Sequence, residues 1–198
     1  MADATATQKR ELRRSLRRRR RALSPAQQHL AGQRLARVLG AQAWFRHAQD
    51  IALYLPADGE IDTLPILDLL WHRQKHAYLP VMRPAGQLWF LRCEPGDPLG
   101  VNRYGLLEPR WRRRRIRPWW SLDLMLLPLV AFDAAGYRLG MGGGFYDRML
   151  ASGPRRPRLV GLAHALQEVP AVPREAWDQR LDAVATDEAW HPAAPDAA

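Results

Sequence analysis

A glycine-rich stretch flanked by charged side chains is the part of the sequence best suited to phosphate chemistry. Four glycines fall within residues 140–144, with Arg138 and Arg148 on either side and Asp147 three positions after the last glycine. Glycine lets the backbone approach a ligand closely and adopt positive φ angles. The two guanidinium groups suit phosphate oxygens, and a carboxylate such as Asp147 suits Mg²⁺.

The segments on either side of these glycines favour the same interpretation. Residues 123–130 form an apolar run of strand length, and residues 145–150 have the pattern of a helix start. A strand, a glycine loop and a helix N-terminus together present free N–H groups to an anion. The spacing matches neither the P-loop nor the dinucleotide-binding fingerprint. A tight turn without a ligand therefore remains the alternative when the pattern is taken by itself.

The rest of the chain alternates predicted helices and strands. Helices are expected over residues 8–23, from a capping box at Ser24 to Gly40, and over residues 64–74 with Thr63 as N-cap. The apolar side chains expected to face inward from the first two helices are Leu12, Leu16, Leu23, Leu30, Leu35, Val38 and Leu39. Strands are expected over residues 50–55, 77–81, 87–91, 123–130, 159–163 and 183–186, and residues 94–120 are expected to be irregular. This alternation indicates an α/β sheet with helices on both faces.

Length and composition suit one globular domain. The chain has 198 residues, of which 47% are hydrophobic, and we expect a single domain over residues 1–198 with loose tails at 1–7 and 192–198. No apolar run reaches the ~20 residues of a membrane span, and arginines interrupt the leucines near the N-terminus where a signal peptide would be apolar. Cys93 is the only cysteine, which fits a reducing compartment, so a cytoplasmic location is expected.

The formal net charge is +10, a balance that favours polyanionic partners. Two arginine clusters supply much of it: Arg13, Arg14 and residues 17–21 in the first, Arg110 and residues 112–115 in the second. The alternative is that these arginines form solvated faces without a specific partner. Both interpretations stay open at this point.

Further segments resemble one known family in the same order along the chain. The glycine stretch has the form Arg-Leu-Gly-x-Gly-x-Gly-Phe-Tyr-Asp-Arg, and residues 9–13 read Lys-Arg-Glu-Leu-Arg. Residues 54–63, 102–109, 127–136 and 161–182 follow the same family pattern. Together they closely resemble the 5-formyltetrahydrofolate cyclo-ligase family from residue 9 to about residue 188.

The resemblance implies a three-layer Rossmann-like fold with a mixed sheet and an ATP-dependent ligase reaction. In that family 5-formyltetrahydrofolate becomes 5,10-methenyltetrahydrofolate while ATP becomes ADP and phosphate. The γ-phosphoryl group goes to the formyl oxygen, and N10 then attacks the formyl carbon as phosphate leaves. Mg²⁺ is the implied cofactor. We expect a monomer that binds small molecules, including polyglutamylated folates, without membrane or nucleic-acid partners.

Matching positions assign the nucleotide and metal sites. The implied ATP-binding residues are Lys9, Arg10, Glu11, Leu12, Arg13, Arg138, Leu139, Gly140, Met141, Gly142, Gly143, Gly144, Phe145 and Tyr146. Lys9 and Arg13 are four residues apart, so both point from one helical face. Asp147 and Asp178 would hold Mg²⁺ directly or through water. Without the resemblance, Lys9 and Arg13 would be interpreted as solvated cations and Asp178 as a surface acid.

The match also assigns folate-binding and catalytic residues. The implied substrate-binding residues are Leu55, Glu60, Met141, Gly142, Gly143, Gly144 and Phe145. Glu60 would hydrogen-bond the pterin or orient the formyl group, whereas Leu55 has strand core as an alternative role. Arg138, Tyr146 and Arg148 are assigned to catalysis, although Tyr146 also fits core packing. Arg103 would attract the glutamate tail.

The sequence departs from the family pattern at a few positions. Phe145 replaces a frequent tyrosine, Trp177 stands where histidine is common, and residues 140–144 lack the basic residue found in some relatives. The alternative function is a basic RNA-binding protein with this fold, which would stack bases on Trp111, Trp119 or Trp120. Because the glycines and the acids assigned to the site are all present, the sequence favours the enzyme.

Overall fold

The computed structural model describes residues 2–194, which are organised around one large sheet. Its strands are β1 (Asp50–Ala52), β2 (His76–Met82), β3 (Leu88–Cys93), β4 (Leu99–Val101), β5 (Leu107–Pro109), β6 (Ile116–Arg117), β7 (Leu124–Pro128), β8 (Ala131–Phe132), β9 (Arg138–Leu139), β10 (Arg158–Ala163), β11 (Ala183–Thr186) and β12 (Trp190–Pro192). The sheet order is β12-β11-β10-β7-β1-β2-β3-β6. The strands from β11 to β2 in that order are parallel, whereas β12, β3 and β6 are antiparallel. The pairs β4–β5 and β8–β9 form separate hairpins.

Both faces of this sheet are covered, as predicted. The helices are α1 (Ala2–Arg21), α2 (Pro25–Gly40), α3 (Ala43–His47), α4 (Leu64–His72) and α5 (Phe145–Leu150). Leu35 of α2 and Ile66 of α4 pack on one face with strand residues such as Ile51. The next residue along β1 points to the opposite face, where α5 and Trp119 pack around Met125. The predicted α/β class with a mixed sheet is therefore confirmed.

Helix α1 packs near the ends of the central strands rather than flat on the sheet. Leu16 is buried against Val130, which follows β7, and against Leu139 of β9 and Val172. Because β9 leads into the glycine loop, this contact brings α1 next to that loop.

Several helix predictions need correction. Residues 2–7, predicted to be a loose tail, belong to α1. Leu30 is 43% exposed because α2 buries the stripe that contains Ala31, Leu35 and Leu39 instead. The Thr63 hydroxyl does not cap α4, since it donates to the carbonyl of Tyr54 at 2.6 Å.

The strand predictions agree with the structure for β10 and β11 but not for the length of β1. Residues 159–163 and 183–186 lie in strands as predicted, but β1 ends at Ala52 rather than at residue 55. Residues 94–120 contain the β4–β5 hairpin and β6 in addition to irregular backbone. Pro192 ends β12, and residues 195–198 of the predicted tail lie outside the described residues. None of the helices in residues 2–194 has the length and hydropathy of a membrane span.

The capping box of α2 is confirmed and provides a stability prediction. The Ser24 backbone N–H donates to Gln27 Oε1 at 2.8 Å, and the Gln27 N–H donates to Ser24 Oγ at 3.3 Å. We expect Ser24→Ala to lower the free energy of unfolding by about 1 kcal/mol, because a helix N–H loses its acceptor. Urea denaturation would measure the change. Ser24→Asp keeps an acceptor and should stay within about 0.5 kcal/mol of the wild type; an equal loss in both variants would contradict this explanation.

Candidate active site

The glycine loop, residues 140–144, connects β9 to α5. Gly142 has a φ of +105° and Gly144, the N-cap of α5, has a φ of +62°. Both angles favour glycine over residues that carry a Cβ. A Cβ at Gly143 would lie 2.6 Å from the Phe145 ring, and one at Gly144 would lie 2.7 Å from a guanidinium nitrogen of Arg148. Apart from the exposed side chain of Met141, the loop thus presents its backbone at this surface.

One face of α1 contacts this loop and the segment that carries Glu175 and Asp178. Arg13 Nε donates to the carbonyl of Gly140 at 2.8 Å. Lys9 is buried, with Nζ 3.0 Å from Asp178 Oδ2 and 3.8 Å from Glu175 Oε2. Burial lowers the pKa of Arg13, and the charge of Asp178 opposes that shift. The structure therefore brings together Lys9, Arg13 and the glycine loop.

Arg138 and Asp147 form an ion pair on the other side of the loop. The Arg138 guanidinium is buried and donates to Asp147 Oδ1 at 2.6 Å and to the carbonyl of Gln179 at 2.6 Å. The N–H of Gln179 also donates to Asp147 Oδ1, at 3.3 Å. Arg138 consequently links the start of the loop, α5 and the segment that carries Asp178.

The two predicted metal ligands each lie next to a cation. Asp178 accepts hydrogen bonds from Lys9 and from the N–H of Glu175, whereas Asp147 pairs with Arg138. Within residues 2–194 no group of three or more His, Cys, Asp or Glu residues is arranged to hold a metal ion. A hard cation here would rely on these carboxylates together with phosphate and water oxygens, the ligand set that Mg²⁺ prefers.

The other residues predicted to face the nucleotide differ in their exposure. Arg10 and Glu11 are exposed on α1, and Arg10 donates to the Thr7 hydroxyl at 3.5 Å. Leu12 packs against the apolar cluster under α1. Arg148 is exposed and places its guanidinium carbon 5.4 Å from the centre of the Phe145 ring. Of the two predicted phosphate-neutralising arginines, only Arg138 is buried.

Glu60 follows β1 at the carboxyl ends of the central strands, and only 10% of its side chain is exposed. Its Oε2 accepts a hydrogen bond from the N–H of Ala57 at 3.1 Å, and its Oε1 is 3.8 Å from the guanidinium of Arg20. Burial raises the pKa of Glu60 to about 7, although the charge of Arg20 opposes the shift. The carboxyl group can therefore gain or lose a proton near neutral pH.

Two tyrosines lie near the carboxyl group of Glu60. The Tyr54 hydroxyl is buried and has no hydrogen-bond partner among the described residues. Burial raises the pKa of both Tyr54 and Tyr146, and the charge of Glu60 adds to each shift. Tyr146 belongs to α5, so the carboxyl group of Glu60 lies close to the helix that follows the glycine loop. An unpaired buried hydroxyl beside a carboxyl group provides polar atoms for a ligand.

Aromatic and apolar side chains surround the exposed side of the loop. The rings of Phe145 and Tyr104 pack edge to face with their centres 6.3 Å apart, and the guanidinium carbon of Arg103 lies 4.9 Å from the centre of the Tyr104 ring. Met141 is exposed, whereas Leu55 is half-buried against the core. Leu55 therefore takes at least part of the strand-core role that was its alternative.

The ionisation of Glu60 predicts a pH dependence of stability. Its pKa is raised from 4.5 to about 7, so the folded state binds the proton more tightly than the unfolded state. The resulting stability is fully present below pH 4.5 and is lost as the pH rises through 7. We expect a loss of up to about 3 kcal/mol, measurable by urea denaturation between pH 4.5 and 8. Glu60→Gln should abolish this fall in stability with rising pH. If the fall is unchanged in that variant, another group causes it.

Sequence reasoning did not identify Arg20 and Asp58 as site residues. Arg20 was one member of an arginine cluster with two open interpretations, yet its side chain is 0% exposed and donates to Asp58. Its position indicated burial, since Leu12, Leu16 and Arg20 are each four residues apart and so lie on the same face of the helix. A charged residue that continues the stripe of Leu12 and Leu16 has to be buried with a partner.

Comparison with known proteins identifies the same family over most of the chain. The model of the 5-formyltetrahydrofolate cyclo-ligase family matches residues 5–187. A curated protein of Escherichia coli K12, named 5-formyltetrahydrofolate cyclo-ligase, is 44% identical over 174 residues, covering 86% of this chain and 96% of that protein. A protein of the same name from Haemophilus influenzae is 42% identical, covering 88% and 96% of the two chains.

Solved structures agree with the sequence comparisons. The NMR structure of 5,10-methenyltetrahydrofolate synthetase from Aquifex aeolicus has a TM-score of 0.82 at 29% identity, covering 96% of this chain and 95% of that one. A synthetase of the same name from Mycoplasma pneumoniae has a TM-score of 0.72 at 25% identity, covering 91% and 99%. The predicted family resemblance, fold class and enzyme class are confirmed.

Proposed function

The chain belongs to the 5-formyltetrahydrofolate cyclo-ligase family, and from this premise we propose that it cyclises 5-formyltetrahydrofolate to 5,10-methenyltetrahydrofolate with Mg²⁺ and ATP. ADP and phosphate are the other products. The observation that supports ATP use best is the contact of the Lys9–Arg13 face of α1 with the glycine loop, where Arg13 Nε lies 2.8 Å from the carbonyl of Gly140. Cationic side chains beside exposed backbone N–H groups suit a polyphosphate.

The proposed reaction proceeds in two steps. The formyl oxygen takes the γ-phosphoryl group as the bond between that phosphorus and the bridging oxygen of ADP breaks. The N10 lone pair then attacks the formyl carbon, the carbon–oxygen bond breaks, phosphate leaves and N10 loses its proton. The protein mainly has to align the two substrates and neutralise charge.

On the nucleotide side, the glycine loop would bind phosphate oxygens through its N–H groups. Lys9 and Arg13 would approach the phosphates from α1, and Arg138 would do so from β9. Asp147 and Asp178 are the carboxylates that would hold Mg²⁺, which would supply positive charge against the phosphates. Since both acids already face cations, binding of Mg²⁺ and ATP would exchange these partners.

On the folate side, Glu60 would accept hydrogen bonds from donors of the pterin. Glu60 lies close to Tyr146 of α5, so a folate bound there would lie next to the nucleotide loop, as phosphoryl transfer to the formyl oxygen requires. Phe145 and Met141 would provide apolar contacts to the folate. We also propose that the folate's glutamate tail is attracted by Arg103, whose guanidinium stacks on Tyr104.

The alternative of a nucleic-acid-binding protein has less support. Arg17, Arg20 and Arg21 pair with Asp58, so part of the first arginine cluster is used internally. Trp119 is buried and unavailable for stacking on bases. In the second cluster, Arg115 pairs with Glu94 and Asp97.

The test is a direct assay of the reaction. Purified protein would be mixed with 5-formyltetrahydrofolate and Mg-ATP while the near-ultraviolet absorbance of the methenyl product is recorded. We expect this absorbance to grow only when both ATP and Mg²⁺ are present. A flat trace from folded protein would refute the proposal, and growth without ATP would refute the phosphoryl-transfer route.

A further inference from the structure

The last turns of α1 hold the short loop that carries Glu60. Asp58 has a φ of +54° and the following Gly59 a φ of +72°, so the chain turns sharply just before Glu60. Arg17 and Arg20 donate to Asp58 Oδ2 at 2.7 and 2.8 Å, and Arg21 bonds to Asp58 Oδ1. Burial alone would raise the pKa of Asp58, but the hydrogen bonds from these arginines lower it to about 2. The turn is therefore anchored to α1 by charge.

Arg20 differs from the other two arginines because it is completely enclosed. Its side chain is 0% exposed, whereas those of Arg17 and Arg21 are 34% and 53% exposed. Its Nε donates to the carbonyl of Asp58 at 2.9 Å, and its Nη1 donates to the carbonyl of Leu129 at 3.1 Å. A buried guanidinium costs free energy unless its donors are paired, so these contacts hold it in one place.

That place is beside both halves of the proposed site. Arg20 Nη2 is 3.8 Å from Glu60 Oε1 on the folate side and 3.6 Å from the sulfur of Met141 in the glycine loop. Arg20 shares α1 with Lys9 and Arg13, which lie on the nucleotide side. The buried Arg20 thus contacts three parts of the protein: Glu60, which we propose binds the folate, the glycine loop, and the residue that follows β7.

We propose that Arg20 is a positioning residue that holds Glu60 in place and favours its ionised form for folate binding. The role of Glu60 in binding folate rests on the proposed function above, whereas the control of its charge by Arg20 does not. Arg20 would not touch the substrates itself; it acts through the carboxylate that does.

The charges around Glu60 make this proposal specific. Arg20 is the largest influence that favours its ionised form, with smaller contributions from the N–H of Ala57 and from Arg17, while burial and Asp58 favour the protonated form. Tyr54 and Tyr146 also face the carboxyl group but stay neutral, because their pKa values are raised. Removal of Arg20 and removal of the Asp58 charge should therefore shift the ionisation of Glu60 in opposite directions.

The first experiment measures unfolding free energy against pH and needs no catalysis. In Arg20→Gln, the pH range over which stability falls should extend upward by about one pH unit, since nearby opposite charges shift a pKa by ~1–3 units. In Asp58→Asn it should end at lower pH. Arg20→Gln combined with Glu60→Gln should show no such fall, which separates charge control from lost packing.

The second experiment measures kcat/KM for 5-formyltetrahydrofolate against pH. We expect the acidic limb of Arg20→Gln to move up by about one pH unit and kcat/KM at pH 7 to drop about fivefold, while Arg20→Lys recovers part of the loss. Arg18→Gln, an exposed neighbour on α1, is the matched control and should follow the wild type. If Arg20→Gln does not fold, Asp58→Asn still tests the direction, because it should move the acidic limb to lower pH whereas Arg20→Lys, which keeps the positive charge, should leave the limb closer to its wild-type position.

The outcomes separate this proposal from the proposed function. Unfolding curves in which Arg20→Gln and Asp58→Asn shift the limb in the same direction, or not at all, overturn charge control by Arg20. If the two variants shift the pH dependence of unfolding in opposite directions but the protein shows no turnover, charge control by Arg20 is supported and the cyclo-ligase reaction is rejected. If the protein turns over substrate but the acidic limb of kcat/KM does not move in Arg20→Gln, the reaction is supported and the positioning role of Arg20 is rejected.

Discussion

Asp147→Asn is expected to lower kcat by about 10²–10³-fold while the protein stays folded. This is the loss typical when one charged group aimed at a reacting centre is removed. Asparagine keeps an oxygen that can accept from Arg138, whose nitrogen lies 2.6 Å from Asp147 Oδ1, so the link between β9 and α5 should survive. The variant loses only the negative charge that we assign to Mg²⁺.

The measurement is turnover as a function of Mg²⁺ concentration at saturating ATP. Asp147→Asn should need more Mg²⁺ for half-maximal rate, in addition to its lower kcat. Asp68→Asn, an exposed acid on α4, is the control for loss of one carboxylate and should match the wild type. If turnover of Asp147→Asn stays within about threefold of the control, Asp147 only pairs with Arg138 and has no role in catalysis.

Arg13→Gln is expected to raise KM for ATP by about 10–100-fold with little change in KM for the folate. A hydrogen bond to a charged group contributes about 1.5–3 kcal/mol, and Arg13 both holds Gly140 and faces the proposed phosphates. The defect should be confined to the nucleotide because Arg13 and Glu60 lie on different sides of the site.

Arg14→Gln provides a matched control one residue away. Arg14 is exposed on α1, so the same change of charge there should alter KM for ATP less than about twofold. Initial rates over a range of ATP concentrations, at fixed folate, would measure both variants. Equal effects at the two positions would mean that only the overall positive charge of α1 attracts ATP.

Some features of the site were predictable because local sequence determines them. Gly142 and Gly144 adopt positive φ angles that follow from the absence of a Cβ, and the capping box at Ser24 forms over four consecutive residues. The spacing of four between Lys9 and Arg13 sufficed to place them on one helical face. In each case the interacting atoms lie within one or two turns of chain.

Other features depend on contacts between distant segments. Arg20 and Asp58 are 38 residues apart, and no local pattern pairs them. Arg10 and Glu11 were predicted to bind the nucleotide together with Lys9, but packing of α1 leaves both exposed. The loose tail predicted at residues 1–7 is helical from Ala2 onward.

The sequence by itself determined the family, the glycine loop, the order of helices and strands, and the residue types available to bind phosphate and folate. Only the tertiary structure decided that Arg20 is enclosed, that Asp58 joins three arginines and that Glu60 has a pKa near 7. The physical reason is that burial and electrostatic neighbours arise when separate segments pack together. A carboxylate's solvation is set by everything around it, which composition and spacing along one segment do not contain.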